Sequence, residues 1–371
     1  MKLEGLRVLD LSSFLPGPYL TLALADHGAE VIKVEAPGGD HGRHIGLRDG
    51  ADTVFFKNLN RGKRSVVLNL KDAGDRAHFL TLADSADVIV ESSRPGVAAR
   101  LGIDYETLSA RNPGLIYCAI SAFGQTGPLA GRPAHDLALE AVTGVVSTNL
   151  GADGRPALPA IPASDYLAGL QGLAGVLMAL VRRHTTGLGD YIDISMQESM
   201  LAATLNVLGP TMAEGRQPDP ACERTTGGAA FYRIYDTGDG RQIALAGQEP
   251  KFVDSLLTAI GRPDLAPLCA TPGPHQQPVI EALQATFAGM TSDEVSPFLD
   301  RLDVCWGMVK TFPEALADPQ LAARGFVMHD EDGRAHLASP IRFQREPAQP
   351  LLAVPALDRD RHLILDQIAE N

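Results

Sequence analysis

Three ionisable side chains stand where helices are predicted to begin, and Asp165 is the first of them. Asp165 lies in the segment PASDYLAGL, at the start of a long run of small and apolar residues. An acid at this position can simply cap the helix. A partly desolvated carboxylate, kept ionised by the helix dipole, can also attack an activated carbonyl. The pattern therefore leaves two interpretations of Asp165 open, a structural cap and a nucleophile.

His135 and Glu249 present the same choice between structure and chemistry. His135 follows the Gly/Pro-rich loop GQTGPLAGRP, and Glu249 precedes Pro250 at a strand-to-helix turn. A histidine here is either packed for structural reasons or exposed in a cleft as a base that works near neutral pH. Glu249 is either an exposed carboxylate at a helix start or a third member of the same site.

Basic residues near predicted strand ends form a second candidate group. Arg100 lies in GVAARLGI, and the stretch from Lys57 to Arg64 also contains Arg61 and Lys63. Ligands of open α/β sheets bind at the carboxyl ends of the strands, so these cations could hold a phosphate. A solvated basic surface is the alternative.

The elements that must position these residues alternate between strands and helices in the first half of the chain. The predicted strands are Arg7–Leu11, Glu30–Glu35, Ser65–Leu70, Asp87–Glu91, Leu115–Ser121 and Tyr191–Ser195. Helical crossovers between such strands predict a mostly parallel, doubly wound, Rossmann-like sheet. The first strand is followed by SSFLPGPYL and not by GxGxxG, so neither NAD nor FAD is predicted.

Composition narrows the class of protein. A net charge of −13 disfavours nucleic acid as a partner, because an acidic surface repels phosphate backbones. The four cysteines form no CxxC pair, so we predict no metal site and expect reduced thiols in a cytoplasmic protein. The charged start MKLEGLRVLDLSS does not resemble a signal peptide. The apolar run Tyr166–Val181 is shorter than a bilayer span, and we expect an interior helix, not contact with a membrane.

Blocks spread over nearly the whole chain resemble the class III CoA-transferase (CaiB/BaiF) family, which also includes 2-methylacyl-CoA racemases. The blocks are LEGLRVLDLSSFLPGP, ALADHGAEVIKVEAPGGD, FFKNLNRGKRSVVLNLK, ADVIVESSRPGVAARLGI, NPGLIYCAISAFGQTGP, TGLGDYIDISMQESML and DVCWGMVKTFPEALADPQLAARGF. They occur in the order that the family has them, and that order makes chance similarity improbable.

The resemblance implies an interlocked homodimer of α/β subunits. Each subunit would have a Rossmann-like large domain, built from both chain ends, and a smaller α+β domain between them. Combined with the pattern along the chain, this predicts a large CoA-binding domain over 1–205, a linker over 206–228, a small domain over 229–325 and a C-terminal segment over 326–371 that returns to the large domain.

The resemblance also assigns roles to single residues. Asp165 matches the catalytic aspartate, which in the transferases attacks the donor thioester and passes through an anhydride to an aspartyl-CoA thioester. Lys63 and Arg100 match positions that contact the CoA nucleotide in relatives. The loop formed by Phe14, Leu15, Pro16 and Gly17 would lie along the pantetheine and adenine of CoA, which is a substrate and not a resident cofactor. Some relatives have an arginine after the strand IKVE, where this chain has Ala36.

Transferase and racemase activities need different groups around Asp165. In the racemases a GHD-type histidine stands thirty residues before the aspartate, and a glutamate lies in an EPxF turn. Here 165 − 135 = 30, and EPKF supplies Glu249. Asp165 is however followed by Tyr166 and Leu167, as in carnitine-type CoA-transferases, and not by Phe and a run of glycines. We therefore predict a transferase acting on an acyl-CoA and a carboxylic acid, with a racemase that uses His135 and Asp165 as opposed acid and base as the alternative.

Overall fold

The computed structural model describes residues 1–151 and 153–369. Residues 152, 370 and 371, which fall in the predicted segments 1–205 and 326–371, lie outside the described residues. The strands are β1 Arg7–Asp10, β2 Glu30–Glu35, β3 Arg48–Asp49, β4 Asp52–Thr53, β5 Arg64–Val67, β6 Val88–Glu91, β7 Ile116–Ser121, β8 Tyr191–Ser195, β9 Tyr232–Asp236, β10 Gln242–Ala246, β11 Trp306–Met308, β12 Val327–His329 and β13 Ala335–Leu337. The helices are α1 Pro16–Asp26, α2 Val54–Asn60, α3 Ala73–Asp84, α4 Val97–Leu101, α5 Tyr105–Ser109, α6 Asp136–Val142, α7 Val145–Thr148, α8 Ala163–Thr186, α9 Met196–Ala202, α10 Leu205–Glu214, α11 Pro250–Ala259, α12 Gln277–Ala288, α13 Ser292–Asp300, α14 Phe312–Leu316, α15 Pro319–Ala323 and α16 Arg361–Ala369, with 3₁₀ turns at His41–His44, Pro263–Ala270 and Pro274–Gln276.

Two compact units divide the chain. Unit 1 contains Met1–Thr143, Ile161–Ala202 and the segment from Pro319 to the C-terminus, and unit 2 contains Gly144–Ala160 and Ala203–Asp318. The sequence assigned 144–160 to the first domain, whereas the structure packs this segment with unit 2, for example through a hydrogen bond of 2.9 Å from Gln217 Nε2 to Ser147 Oγ. Helix α10 occupies part of the segment that the sequence predicted as a linker.

Unit 1 is built on a parallel sheet with strand order β5-β2-β1-β6-β7-β8. Each neighbouring pair in this sheet is parallel. The order is that of a doubly wound nucleotide-binding sheet. The chain adds β2 and β5 on one side of β1, and then adds β6, β7 and β8 on its other side. The predicted α/β, Rossmann-like class is thus confirmed. Loops after β1 and β6 meet at the carboxyl edge of the sheet, where such folds bind ligands.

Both faces of this sheet are covered, which explains the continuous apolar strands that the sequence shows. On one face, Val8, Val90 and Ile120 pack against α1 and α8. On the other, Leu9 and Ile89 pack against α3 and its neighbours in a second apolar cluster. The C-terminal helix α16 joins the second cluster through Ile364, which is fully buried.

A buried ionic cluster holds the carboxyl end of β1. Asp10, which is fully buried, accepts hydrogen bonds from Ser12 N at 3.0 Å, Thr21 Oγ1 at 2.7 Å and Lys63 Nζ at 2.8 Å. Lys33 Nζ lies 3.9 Å from Asp10 and donates to the Ser12 carbonyl at 3.0 Å. Burial by itself raises the pKa of Asp10, but the charges of Lys33 and Lys63 outweigh it and hold the pKa well below its ordinary value. The cluster therefore fixes the loop between β1 and α1.

Helix α8 has one buried face and one exposed face. Its small residues Ala168, Gly172 and Val176 are buried against unit 1. By length and composition alone it could cross a membrane, a test that the core helices of many proteins also pass. The interior helix predicted from the sequence is thus covered on one side only, because an apolar stripe of Leu170, Leu177, Met178 and Val181 faces outward.

Unit 2 is a small α+β unit. Strands β9, β10 and β11 form an antiparallel sheet in the order β11-β10-β9. A hairpin joins β9 and β10, with Gln242 opposite Asp236 and Gly240 at a positive φ of 79° in the turn. Helices α11, α12 and α13 bury Leu256, Leu283 and Val295 in the core of this unit.

We expect Asp10→Asn to lower the free energy of unfolding by ~3–5 kcal/mol, because Lys63 then stays buried without its counter-charge. Denaturant unfolding followed by circular dichroism measures the loss. Asp84→Asn, which breaks the exposed ion pair between Asp84 and Arg111, is the matched control and should cost several times less. Equal losses from the two variants would contradict the role assigned to Asp10.

Candidate active site

The first turn of helix α8 presents Asp165. The sequence left open that Asp165 caps this helix, and the structure does not support that interpretation: the N-cap residue is Pro162, which makes no capping hydrogen bond through its side chain. Asp165 is therefore the third residue of the helix. Its carboxylate is not used as the cap, which leaves it available for other contacts.

Two carboxylates of helix α6 take over the capping of α8. Ser164 donates to Asp136 Oδ1 twice, from its backbone N–H and its hydroxyl, each at 2.8 Å. The backbone N–H of Ala163 donates to Glu140 Oε1 at 3.3 Å. These bonds satisfy helix N–H groups that would otherwise be orphaned, and they bring the negative charge of Asp136 close to Asp165.

A glycine allows the start of α1 to approach α8. A Cβ on Gly169 would lie 2.7 Å from the Pro16 carbonyl oxygen, and real Cβ atoms do not come so close. The start of α1 therefore lies against the start of α8. Within the start of α1 itself, a Cβ on Gly17 would lie 2.1 Å from the hydroxyl oxygen of Ser12, so glycine is needed there for the side chain of Ser12 to fit.

A cleft of about 280 Å³ opens beside Asp165 at the carboxyl edge of the sheet. Its walls come from the loops after β1, β6 and β7, from the loop before α6, and from the starts of α8 and α9. The lining residues are Ser13, Phe14, Pro16, Ser92, Ser93, Arg94, Pro95, Ile120, Ser121, Ala122, Ala130, Arg132, Pro133, Ala134, His135, Asp165 and Met196.

Burial changes the protonation of Asp165. Burial, and secondly the negative charge of Asp136, raise the pKa of Asp165 to about 7. From the sequence we expected the helix N-terminus to keep this carboxylate ionised; burial and the like charge of Asp136 instead favour its neutral form. Near neutral pH the group therefore exists in both forms, which is typical of residues that react or transfer protons.

His135 and Phe14 lie together on the wall of the same cleft. His135 is exposed, precedes α6 as its N-cap residue and makes no capping bond through its side chain. Its ring meets Phe14 edge-on with centroids 5.5 Å apart, and the other neighbour of Phe14, His41, is stacked at 5.4 Å. Phe14 has a φ of 64°, a left-handed conformation that costs energy for a bulky residue.

A second cleft of about 240 Å³ lies next to the first, at the ends of β1, β2 and β5. Ser13 and Ser93 line both clefts, so the two adjoin at this point. Its other walls are the segments 33–37, 39–41 and 68–71. This is the crevice where doubly wound sheets bind nucleotides.

The remaining residues that the sequence proposed for CoA binding have different surroundings. Leu15 and Gly17 are buried at the start of α1, and Arg100 is exposed in the last turn of α4. Lys63 is buried, and its ammonium donates to Asp10, Thr21, Asn60 and the Pro18 carbonyl at 2.8–3.1 Å. These acceptors use all of its N–H donors, so Lys63 holds the loop after β1 and has no donor left for a phosphate.

The sequence missed two arginines of the Asp165 cleft, Arg94 and Arg132. Both could have been noticed: Arg94 follows strand β6 in ESSRPG, and Arg132 stands three residues before His135. Glu249 belongs to unit 2, where it is exposed and is the N-cap residue of α11 without a capping bond through its side chain. Its catalytic role stays a prediction. Within residues 1–151 and 153–369, no group of three or more His, Cys, Asp and Glu side chains is placed to hold a metal ion.

Comparisons with known proteins agree with this architecture. The model of CoA-transferase family III matches residues 3–361. The chain is 41% identical over 265 residues to acetyl-CoA:oxalate CoA-transferase of Acetobacter aceti, over 71% of this chain and 68% of that one. It is 33% identical to succinyl-CoA:mesaconate CoA-transferase of Haloarcula marismortui, over 98% and 96% of the two chains. It is also 32% identical to α-methylacyl-CoA racemase of Homo sapiens, over 97% and 90%.

A solved structure has the same fold. The crystal structure of a CaiB/BaiF family protein from Brucella suis superposes with a TM-score of 0.85 at 30% identity, covering 99% of each chain. The doubly wound sheet and the carboxylate cleft at its edge define an α/β enzyme. The chain belongs to CoA-transferase family III, as the sequence resemblance indicated. The family includes both transferases and a racemase, so membership alone does not choose between the two reactions.

We expect Asp165→Asn to stabilise the folded chain above neutral pH. The pKa of Asp165 is raised from 3.8 to about 7, so the folded state binds this proton more tightly than the unfolded state. The stability from that proton is full below about pH 4 and is lost as the pH rises through about 7. The variant should therefore gain up to a few kcal/mol at about pH 8 and much less at about pH 5.

Thermal or urea unfolding at both pH values measures this gain. Glu198→Gln, which removes an exposed carboxylate from the first turn of the neighbouring helix α9, is the control for the loss of one negative charge. A gain for Asp165→Asn that does not depend on pH would refute the raised pKa.

Proposed function

We propose that this enzyme moves CoA from an acyl-CoA thioester to a carboxylic acid through a covalent intermediate on Asp165. The observation that carries the proposal is the position of Asp165, a half-buried carboxylate with a raised pKa in a cleft that adjoins a second crevice at the carboxyl edge of the sheet. A carboxylate of higher pKa is a better nucleophile, and burial removes the water that would shield it.

The reaction needs one carboxylate and no external base. An oxygen of Asp165 attacks the acyl carbonyl carbon of the thioester, the C–S bond breaks, and CoA leaves as a thiolate. The acyl group stays on Asp165 as a mixed anhydride. The thiolate then attacks the aspartyl carbonyl, which releases the donor acid and leaves an aspartyl-CoA thioester. The acceptor carboxylate attacks this thioester, and the returning thiolate takes the acceptor acyl group and restores Asp165.

We propose that bound CoA lies along the two clefts. The nucleotide would occupy the crevice at the ends of β1, β2 and β5, with Arg100 as a candidate for its phosphates. The pantetheine would pass between Ser13 and Ser93 along the ring of Phe14 and bring the thioester to Asp165. Pro16, which also lines the Asp165 cleft, belongs to the same path, whereas Lys63 would support the loop from within.

For the acceptor we propose a dicarboxylic acid. The printed names of the two transferase relatives name oxalate and mesaconate, which are both dicarboxylates. Arg94 and Arg132 in the Asp165 cleft support this choice, because guanidinium groups bind carboxylates with paired hydrogen bonds. A positive cleft in a chain with a net charge of −13 would also draw anionic substrates to this one place.

We also propose a homodimer, located in the cytoplasm. The outward stripe of α8 supports a second copy as its cover, since Met178 is 70% exposed and Val181 is 73% exposed. Contiguous apolar surface of this kind is typical of interfaces between chains.

A racemase is the second candidate, because His135 and Asp165 line one cleft. Abstracting a proton α to the thioester on one face and returning it on the other requires two such groups. In the transferase, His135 would orient the acceptor carboxylate or Asp165, and Glu249 would have no chemical step.

Isotope transfer tests the proposed intermediate. We expect purified enzyme, incubated with acetyl-CoA or succinyl-CoA and ¹⁸O-labelled oxalate, to place CoA on oxalate and one ¹⁸O in the peptide that contains Asp165. The label arises because the bridging oxygen of the anhydride stays with Asp165 when the thiolate leaves with the acyl group. Asp165→Asn should abolish transfer, whereas Glu198→Gln should retain it.

The racemase gives a different result in the same experiment. In heavy water it would exchange the α-hydrogen of a 2-methylacyl-CoA without any acceptor, and His135→Ala would abolish the exchange. Deuterium incorporation without CoA transfer or ¹⁸O labelling would overturn the transferase proposal.

Two variants of Phe14 test the proposed CoA path. Phe14→Ala and Phe14→Gly both remove the ring, and we expect both to raise KM for the acyl-CoA to a similar degree. Glycine accepts the positive φ and alanine does not, so the glycine variant should be more stable than the alanine variant by ~1 kcal/mol. An unchanged KM in both variants would remove Phe14 from the path.

A further inference from the structure

Asp136 and Glu140 lie one turn apart on α6 and both face the start of α8. Asp136 Oδ1 accepts the two hydrogen bonds from Ser164, and Glu140 Oε1 accepts the N–H of Ala163. In the chain, Asp165 follows directly after Ala163 and Ser164. The geometry therefore fixes a second carboxylate near the reactive one by bonds that do not involve the reactive one.

Glu140 completes this arrangement from the buried side. It is 1% exposed, and burial, followed by the charge of Asp136, raises its pKa. Burial and the like charge of Asp136 thus disfavour a second negative charge on Glu140. The charge that acts on Asp165 is that of Asp136.

The other charged or titratable groups near Asp165 lie on different elements. His135 and Arg132 line the cleft from the loop before α6, and Arg94 lines it from the loop after β6. Tyr19 of α1 contacts Tyr166, the residue after Asp165, with ring centroids 5.0 Å apart. After burial, the charge of Asp136 has the largest effect on Asp165.

We propose that Asp136 is a positioning residue that drives Asp165 toward its covalent state. The free Asp165 carboxylate is repelled by Asp136, whereas an acylated or thioesterified Asp165 is neutral and is not repelled. Each transfer of an acyl group or of CoA to Asp165 therefore relieves a repulsion that the fold has built in. This inference rests on the proposed function.

The charge of Asp136 also affects the nucleophile before the reaction. Like charges disfavour the ionised form and raise the basicity of the carboxylate, and a more basic oxygen attacks a carbonyl more readily. One pKa unit corresponds to about tenfold in an equilibrium constant. The populations of free and covalent Asp165 should change by about that factor when the charge is removed.

Asp136→Asn separates the charge from the cap, because the amide oxygen can still accept both hydrogen bonds from Ser164. The first readout needs no turnover: the pH dependence of carbodiimide labelling at Asp165, followed by peptide mass spectrometry. We expect its midpoint to move to lower pH by about one unit. The second readout is the fraction of aspartyl-CoA trapped by hydroxylamine in the presence of acyl-CoA, which should fall about tenfold.

Two further variants make the test specific. Asp136→Glu restores the charge and should return the labelling midpoint toward that of the parent. Asp72→Asn is the matched control: Asp72 caps α3 in the same manner, by accepting from Gly74 N and Asp75 N, and should change neither readout.

The outcomes distinguish the two proposals. If the labelling midpoint moves but no variant or parent ever forms aspartyl-CoA, the proposed function fails, and this inference about the covalent state fails with it. If the parent transfers CoA and Asp136→Asn leaves the midpoint and the trapped fraction unchanged, Asp136 is a helix cap only and the inference is overturned.

Discussion

The buried carboxylate of Asp10 is the constraint on which the rest of the site depends. It ends β1 and binds Ser12, Thr21 and Lys63, so the chain that follows has one path into α1. That path puts Ser13 at the junction of the two clefts and Phe14 into a left-handed conformation between two histidines. An ion pair so deeply buried is not a reliable source of net stability, but it gives the loop a single geometry.

Asp10 and Asp165 are desolvated carboxylates, and their partners decide what each can do. Two ammonium groups face Asp10, which stays ionised and unreactive. Asp165 has another carboxylate, that of Asp136, as its neighbour. Burial and the charge of Asp136 together raise the pKa of Asp165 to about 7. Desolvation alone would raise both pKa values, so the sign of the neighbouring charge separates a structural acid from a reactive one.

The same reasoning explains what the sequence could predict. Short Val- and Ile-rich strands with helices between them were enough for the parallel sheet, because this pattern is local. The role of Lys63 depends on Asp10, which lies fifty-three residues away in the chain. The sequence therefore assigned Lys63 to a phosphate, although its charge is paired with the buried Asp10. The capping of α8 by Asp136, twenty-eight residues earlier than Ser164, is equally invisible to a local pattern. Arg94 and Arg132 were missed because loop residues cannot be ranked by periodicity.

Supplying the cap from α6 has a consequence for catalysis. A capping carboxylate is held by backbone N–H groups, which stabilise its anion and lower its reactivity. In α8 that task falls to Asp136 and Glu140, so Asp165 sits at a helix start without being neutralised by it. Asp165 must be an anion when it attacks, and it is neutral once it is acylated. A site that stabilises neither of these two forms strongly therefore suits the reaction. The charge of the neighbouring Asp136, which disfavours the ionised form of Asp165, thereby keeps the free and acylated states close enough in energy to interconvert.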